Sequence, residues 1–368
     1  MSYMIGIHGL SIYGKDENKQ TAMASTTKIM TAIVVLENCK DLSEIVTIDS
    51  KAAGTGGSRL GLKKDDKITV EGLLYGLLMR SGNDAAVALA EHIAGSKEEF
   101  AKLMNKKAHE LGLKNTNFVT PHGLDDPKHY TTAYELAQIA DYALKNDKFA
   151  QIVKTQYATI NINGYSKELK NTNELLLGNI EGVYGVKTGF TNNAGRCLVT
   201  AVKRKNMDLI IVVLGADTRK DRAKDSLKLI DYIYQNYRVE NIEEQIQKQF
   251  DLWNEINKNR IYIYKGTKSI ELELGKIKYE KIITNKQRDK LIKLFRSSSR
   301  KGNSNRKSNC EKWWRDSGNN RYKNSTWDKK ERNIWLFRNV CKNNHPIIRI
   351  FISKFKTKGW QETKNLIT

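Results

Sequence analysis

The feature that most limits what this chain can fold into is an abrupt change of composition near Thr284. Residues 281–368 hold 24 Lys and Arg against 6 Asp and Glu, a net of +18 out of the chain's +22. The first 280 residues therefore carry only 39 minus 35, or +4. Five of the six tryptophans, at 313, 314, 327, 335 and 360, fall in this last stretch, which has no alanine and one valine, Val340. It shows no clear helical or strand period, and such a composition cannot easily form a core. Two readings compete. Clustered cations with interleaved aromatics suit the phosphates and bases of a nucleic acid, or an anionic membrane. An excess of Asn, Lys, Arg, Ser and Trp without alanine is also what an AT-rich gene yields when translated out of frame, and this reading is preferred. Residues 286–368 are thus expected to be a frameshifted or disordered basic tail, with no nucleic-acid partner.

A packed fold must come from what precedes it, a length sufficient for a sizeable core. Residues 1–240 read as one mixed domain. Strand-like runs occur at 43–48, 157–162, 182–187, 196–202 and 209–214, and helical patterns at 25–36, 70–78, 84–93, 96–111, 132–144 and 219–237. Two helices begin with capping-box spacing, Ser96 with Glu99 and Thr132 with Glu135. The last strands and the last helix make a sheet with helices against it. The middle helices form a separate lobe, and a cleft between lobe and sheet is the natural place for a site. Residues 241–285 alternate at 260–264 and 270–274, with Gly266 and Gly275 between, as in short strands.

Three short strings carry the chemistry: Ser25-Thr26-Thr27-Lys28, Ser81-Gly82-Asn83 and Lys187-Thr188-Gly189. Ser-x-x-Lys alone says little in a lysine-rich chain, and it recurs at 298–301, 304–307 and 353–356. Only the copy at Ser25 opens an apolar run, with Ile29, Ala32, Ile33 and Leu36 at helical spacing. Ser25 then lies in a first helical turn with Lys28 one turn along on the same face, close to the free N–H groups and positive dipole end that favour an alkoxide. Ser25 as a simple N-cap, and Ser-Gly-Asn as ordinary turn chemistry, are the competing readings. Together and in this order the strings supply a hydroxyl nucleophile, a lysine to take its proton, a second hydroxyl with an amide, and a cationic strand for a carboxylate. That is a serine acyl-transfer site.

With these strings in place the chain resembles the low-molecular-mass penicillin-binding proteins, the serine-type D-alanyl-D-alanine carboxypeptidases. The likeness runs over residues 12–237 and includes TAMASTTKIMTAIVVLE at 21–37, LMRSGNDA at 78–85, NFVTPHGLDDPKHYTTAYEL at 117–136 and GVKTGFTNNAGRCL at 185–198. Ser-Gly-Asn in place of Ser-Asp-Asn favours the carboxypeptidases over the class A β-lactamases, as does the lack of a Glu-x-x-Leu-Asn segment between Asn83 and Lys187.

The resemblance implies an α/β (α+β) fold of the β-lactamase/transpeptidase-like kind, an antiparallel sheet flanked by helices plus a helical lobe. An incomplete small β domain would follow over 241–285. It implies hydrolysis of the terminal D-Ala-D-Ala bond of peptidoglycan stem pentapeptides through a Ser25 acyl-enzyme, with β-lactams as covalent inhibitors. Lys28 would be the base, its amine kept neutral by burial or by a second cation such as Lys187. Ser81 would relay a proton to the leaving amine, and Asn83 would bond Lys28 and the substrate backbone. Lys187 and Thr188 would meet the terminal carboxylate on an edge strand to which the substrate adds, with Gly189 allowing close approach. Phe190 would act through its backbone N–H, completing an oxyanion hole with that of Ser25. Arg222 aligns with a carboxylate-binding arginine, against a reading as solvated helix face with Arg219, Lys220 and Lys224. The alternatives are a related acyl-transfer enzyme, a β-lactamase or D,D-endopeptidase, and an inert basic nucleic-acid-binding protein.

His122 in Pro121-His122-Gly123-Leu124 reads as structural in this family. The other histidines show no ligand spacing, and Cys39, Cys197, Cys310 and Cys341 form no Cys-x-x-Cys pair, so neither metal nor organic cofactor is implied. Met1 to Leu10 has neither a basic n-region nor a long apolar h-region. As written the chain would stay in the cytoplasm, whereas the family is exported to the outer face of the cytoplasmic membrane, with peripheral membrane contact. A mis-started gene is expected, lacking an N-terminal strand and leaving a sheet edge unpaired.

Overall fold

Three apolar stretches, VYGVKTGFT, GRCLVTAVKR and MDLIIVVLGA, follow one another with almost no linker. The second and third are joined by Lys205 and Asn206 alone, both at positive φ, +47° and +63°. That is the two-residue turn whose twist matches a hairpin. The computed structural model describes residues 1–7, 10–241, 251, 272–273, 280–289 and 356–357, and divides into two units, Met1–Gln235 and Asn236–Thr368.

The first unit runs, in chain order, β1 (Ser2–Ile7), β2 (Leu10–Lys15), a 3₁₀ turn (Ala24–Thr27), α1 (Lys28–Asn38), β3 (Ile45–Thr47), α2 (Ser50–Ala53), β4 (Lys67–Thr69), α3 (Val70–Met79), α4 (Asn83–Ala94) and α5 (Lys97–Glu110). It continues with α6 (Ala133–Ala143), α7 (Asp147–Lys154), β5 (Tyr157–Ile162), β6 (Tyr165–Lys170), α8 (Glu174–Leu177), β7 (Val183–Thr191), β8 (Gly195–Arg204), β9 (Met207–Ala216) and α9 (Arg219–Asn236). The main sheet is antiparallel with order β2-β1-β9-β8-β7, so β7 is an edge strand. The strand expected to be missing at the N-terminus is present: β1 pairs with β2 on one side and, from Ser2↔Leu214 to Gly6↔Ile210, with β9 on the other. Its six residues include Gly6 and carry too little apolar alternation to announce a strand.

Alternate residues of the sheet serve two cores. Cys197, Val199 and Ala201 of β8 and Ile210, Val212 and Leu214 of β9 join a cluster with Ile29, Leu77, Leu89 and Ile139 of the helices. The opposite set, Leu198, Val202, Leu209, Ile211 and Val213, is equally buried. That face is covered by α9, whose Leu229, Ile230 and Ile233 are buried and whose Tyr234 hydroxyl lies 3.0 and 2.9 Å from the carbonyl oxygens of Val202 and Met207, sharing its one hydrogen between them. The helical lobe centres on α4, NDAAVALAEHIA, whose small side chains let α1, α2, α3 and α5 pack around it. Both anticipated capping residues act: Ser96 accepts from the Glu99 N–H at 3.1 Å and Thr132 from that of Glu135 at 3.0 Å.

In the second unit β10 (Tyr237–Asn241) and β12 (Glu280–Thr284) pair antiparallel, as do β11 (Leu272–Glu273) and β13 (Lys356–Thr357). The strand expected at 260–264, the Ser-x-x-Lys copies at 298–301 and 304–307 and most of the basic tail lie outside the described residues. Among the described residues no helix is long and apolar enough to cross a membrane.

Candidate active site

Helix α1 starts at Lys28, and Ser25 precedes it in the 3₁₀ turn, one turn earlier than the apolar spacing suggested. Nor does Ser25 cap a helix, since no side-chain cap is made at the start of either segment. The turn is tight because Ala24 sits at φ +48°, a left-handed conformation that costs a residue with a Cβ about 1–3 kcal/mol. Two threonines hold it, Thr26 Oγ1 donating to the Met23 carbonyl at 2.6 Å and Thr27 Oγ1 to that of Ala24 at 2.7 Å. His129 Nδ1 accepts from the Val119 N–H at 2.9 Å, so its Nε2 carries the proton and donates to Thr27 Oγ1 at 2.8 Å. Gly123 lies against the turn at φ +85°, where a Cβ would overlap the Ala24 carbonyl oxygen. The Pro-His-Gly-Leu loop is therefore a backbone buttress of the serine. His122 contributes its carbonyl; its imidazole is pushed down to about 3, by burial above all.

Lys28 is fully buried, and its Nζ lies 2.8 Å from Ser25 Oγ, 2.7 Å from Asn83 Oδ1 and 2.7 Å from the His122 carbonyl oxygen. Two of these partners can only accept. A neutral amine spends both its N–H bonds on them and turns its lone pair to the Ser25 hydroxyl. Burial first, and the nearby charge of Lys187 second, hold Lys28 well below the ordinary lysine value, against an opposing pull from Asp84. A lowered proton affinity makes the neutral amine easier to reach, and in that state the lone pair faces the Ser25 hydroxyl.

The second string sits where α3 turns into α4. Ser81 is buried at φ +62°, and Asn83 is the first residue of α4. Asn83 Nδ2 donates to the Gly56 carbonyl at 2.7 Å, so one amide hydrogen is left for a ligand. Ser81 is not among the three partners of Lys28. Asp84 is buried and accepts from the backbone N–H groups of Leu60, Gly61 and Leu62 at 2.8, 2.7 and 3.1 Å. It ties a separate loop to the Ser-Gly-Asn turn, a partnership that no local spacing could reveal.

Lys187, Thr188, Gly189 and Phe190 lie on edge strand β7. A Cβ on Gly189 would come within 3.2 Å of both the Ser25 nitrogen and the Ala24 Cβ, so glycine is what brings this strand against the serine turn. Lys187 is buried, its Nζ donates to the Thr188 carbonyl at 2.9 Å, and burial and then the charge of Arg222 push it down to about 7. Thr188 shares a hydrogen bond with Thr172 at 2.9 Å. The Phe190 ring is exposed and stacks beneath the Arg196 guanidinium, 3.6 Å from the ring centroid.

Arg222 is only 3% exposed, which rules out the solvated-face reading. Its Nε and Nη2 grip the Glu174 carboxylate at 3.0, 2.5 and 2.6 Å, and Nη1 donates to the Cys197 carbonyl at 3.3 Å. In this structure the fork is already filled by a protein carboxylate.

Comparison with known proteins agrees with this arrangement. The sequence profile of the family described as D-alanyl-D-alanine carboxypeptidase matches residues 8–218. The chain is 42% identical over 236 residues to D-alanyl-D-alanine carboxypeptidase DacF of Bacillus subtilis, covering 63% of this chain and 60% of the relative. It is 37% identical over 257 residues to DacA of Haemophilus influenzae, covering 68% and 63%. Among solved structures it is similar to the Streptomyces K15 DD-transpeptidase, at 35% identity and a TM-score of 0.59, over 63% of this chain and 94% of that one. It is similar also to penicillin-binding protein 5 of Haemophilus influenzae, at 34% identity and a TM-score of 0.61, over 65% and 72%. The chain thus spans about 60% of the length of the curated relatives it matches. A profile match over more than half of its residues, on a sheet and helical lobe arranged as in the solved relatives, makes this chain a member of the D-alanyl-D-alanine carboxypeptidase family.

Proposed function

We propose that the chain is a serine D,D-carboxypeptidase that removes the terminal D-alanine from peptidoglycan stem peptides outside the cytoplasm. The observation that carries this is Lys28 Nζ, 2.8 Å from Ser25 Oγ and held by two groups that only accept. Ser25 Oγ attacks the carbonyl between the two D-alanines while its proton passes to Lys28. A base placed this way contributes roughly 10²–10⁴-fold. The developing oxyanion is met by the backbone N–H groups of Ser25 and Phe190, each such donor being worth about 10²–10³-fold. The C–N bond then breaks, Ser81 passes the proton from Lys28 to the departing amine, and D-alanine leaves. Water, deprotonated by the same lysine, releases the shortened peptide from Ser25.

The substrate lies along β7 as an added strand, with Asn83 on its backbone and Lys187 and Thr188 on its carboxylate. Arg222, held by Glu174, acts as the positive charge behind Lys187. β-Lactams acylate the same serine. The catalytic unit is residues 1–240, with 241–285 the start of a β-rich segment and 286–368 a basic tail.

Release of D-alanine from a synthetic peptide ending in D-Ala-D-Ala tests this directly. Wild type is expected to release it, and Lys28→Ala to lose the activity by about 10²–10⁴-fold. Undiminished release by that variant overturns the assignment. A second reading has support in the Streptomyces relative, whose name is DD-transpeptidase: capture of the acyl group by an amine. Exchange of the terminal D-alanine for labelled glycine would reveal it.

A further inference from the structure

Away from the serine, three side chains from separate stretches meet at the far ends of two helices. Cys39 ends α1, its N–H bonded to the Val35 carbonyl at 2.9 Å; Glu44 directly precedes β3; and His92 lies in the last turn of α4. Cys39 Sγ is 3.8 Å from Glu44 Oε1, His92 Nε2 is 3.1 Å from Glu44 Oε2, and one ligand atom from each residue lies within 4.8 Å of the other two. Zinc binds sulfur at about 2.3 Å and nitrogen or oxygen at about 2.0–2.2 Å. Neighbouring ligand atoms in a tetrahedral site are then roughly 3–4 Å apart, close to what is found here without an ion. The sulfur is buried, while the Glu44 side chain is 46% exposed and the His92 side chain 25%. The group is thus walled on its sulfur side and open to solvent on its oxygen side, as an ion's entry requires. The Cys39 thiol donates to the Asp41 carbonyl oxygen at 3.2 Å, which brings a further oxygen atom next to the sulfur.

The donor set is informative about the ion. Thiolate, imidazole and carboxylate together select a borderline-soft divalent metal over magnesium or calcium. A thiolate and a carboxylate bring two negative charges, which neutralise a divalent cation. Among the described residues this is the group of His, Cys, Asp and Glu that converges in this way. We propose that Cys39, Glu44 and His92 bind one zinc ion, with water or the Asp41 carbonyl completing four-coordination. The ion would fasten the end of α1 to the last turn of α4. Those two helices carry Lys28 and Asn83 at their other ends, about 15 Å away along α1. The 2.7 Å bond between these two residues joins the same two helices at the reactive site. Cys39 and Glu44 are near neighbours in the chain but His92 is remote from both, so the set leaves no spacing signature and the sequence suggested no metal.

The test uses the full chain, purified without a polyhistidine tag and stripped of metal. Cobalt(II) titration is expected to saturate at one equivalent, with a thiolate-to-cobalt charge-transfer band in the near ultraviolet that zinc(II) bleaches. Cys39→Ser should abolish the band. Glu44→Gln and His92→Gln should weaken cobalt binding by more than the roughly 10- to 100-fold that losing a ligand's outer hydrogen-bond partner costs. Replacing Cys310 and Cys341 by serine should leave band and affinity unchanged. No band in wild type, a band that survives Cys39→Ser, or one that vanishes with the Cys310 and Cys341 pair overturns the proposal. Should Cys39→Ser fail to fold, the variants of the partly exposed His92 and Glu44 decide it: unchanged cobalt affinity in both is equally fatal.

Discussion

Lys28 and Lys187 are both buried amines, and their proton affinities set how the site should respond to pH. Burial and the Lys187 charge keep Lys28 well below the ordinary 10.5, while burial and Arg222 bring Lys187 to about 7. The second-order rate of β-lactam acylation reports groups on the free enzyme. It is expected to rise as Lys28 sheds its proton well below the ordinary lysine value, and to decline above about 7 as Lys187, proposed to face the ligand carboxylate, loses its charge. A single limb rising through 10.5 would show an ordinary lysine at work. Stability should move the other way at the alkaline end. The folded pKa of Lys187 lies below its unfolded value, so between about 7 and 10.5 the unfolded chain binds more protons and stability grows with pH. Below about 7 the cost of burying the charge is present in full. Gly123 is the other residue on which the serine depends. Its positive φ and contact with the Ala24 carbonyl leave no room for a side chain. Gly123→Ala is expected to lose at least about 1–3 kcal/mol in denaturant melts and to label poorly with penicillin even where folded.

At the scale of elements, the distinction between reading and missing a strand is physical. β8 and β9 were legible because both faces are covered, so Val, Ile and Leu run almost without interruption and the boundary falls at a turn with positive φ. β1 is just as central yet has six residues, two of them serine and glycine, and borrows its stability from β2 and β9. The short helices α2 and α8, four residues each, are fixed by the Asp49 and Asn173 caps and are too short to show a helical period. α9 was legible by its period, but not the burial of Arg222, because its ion partner Glu174 lies on another element. The sheet should depend on α9 for stability more than the serine does for reactivity. Ile230→Ala, fully buried on the face away from Ser25, is expected to cost about 2–5 kcal/mol in a denaturant melt. The acylation rate of the folded fraction should stay the same.

Across the whole molecule, the residues proposed to act on substrate all lie in Met1–Gln235, although +18 of the net +22 lies beyond position 280. Their order and spacing were enough to name the chemistry. The sequence did not show what holds them: the His129–Thr27 bond, the Asp84 loop anchor, the carbonyl of His122 and the convergence of Cys39, Glu44 and His92. Each brings together at least two residues more than twenty positions apart. The central claim is that Ser25 is a nucleophile activated in a folded site. Its most direct test is mass spectrometry of the protein after exposure to a fluorescent penicillin. One adduct per chain, mapped to the peptide containing Ser25 and absent from Ser25→Ala, is the expected result. Soluble, folded protein that takes no label, or label that persists in the variant, would contradict it.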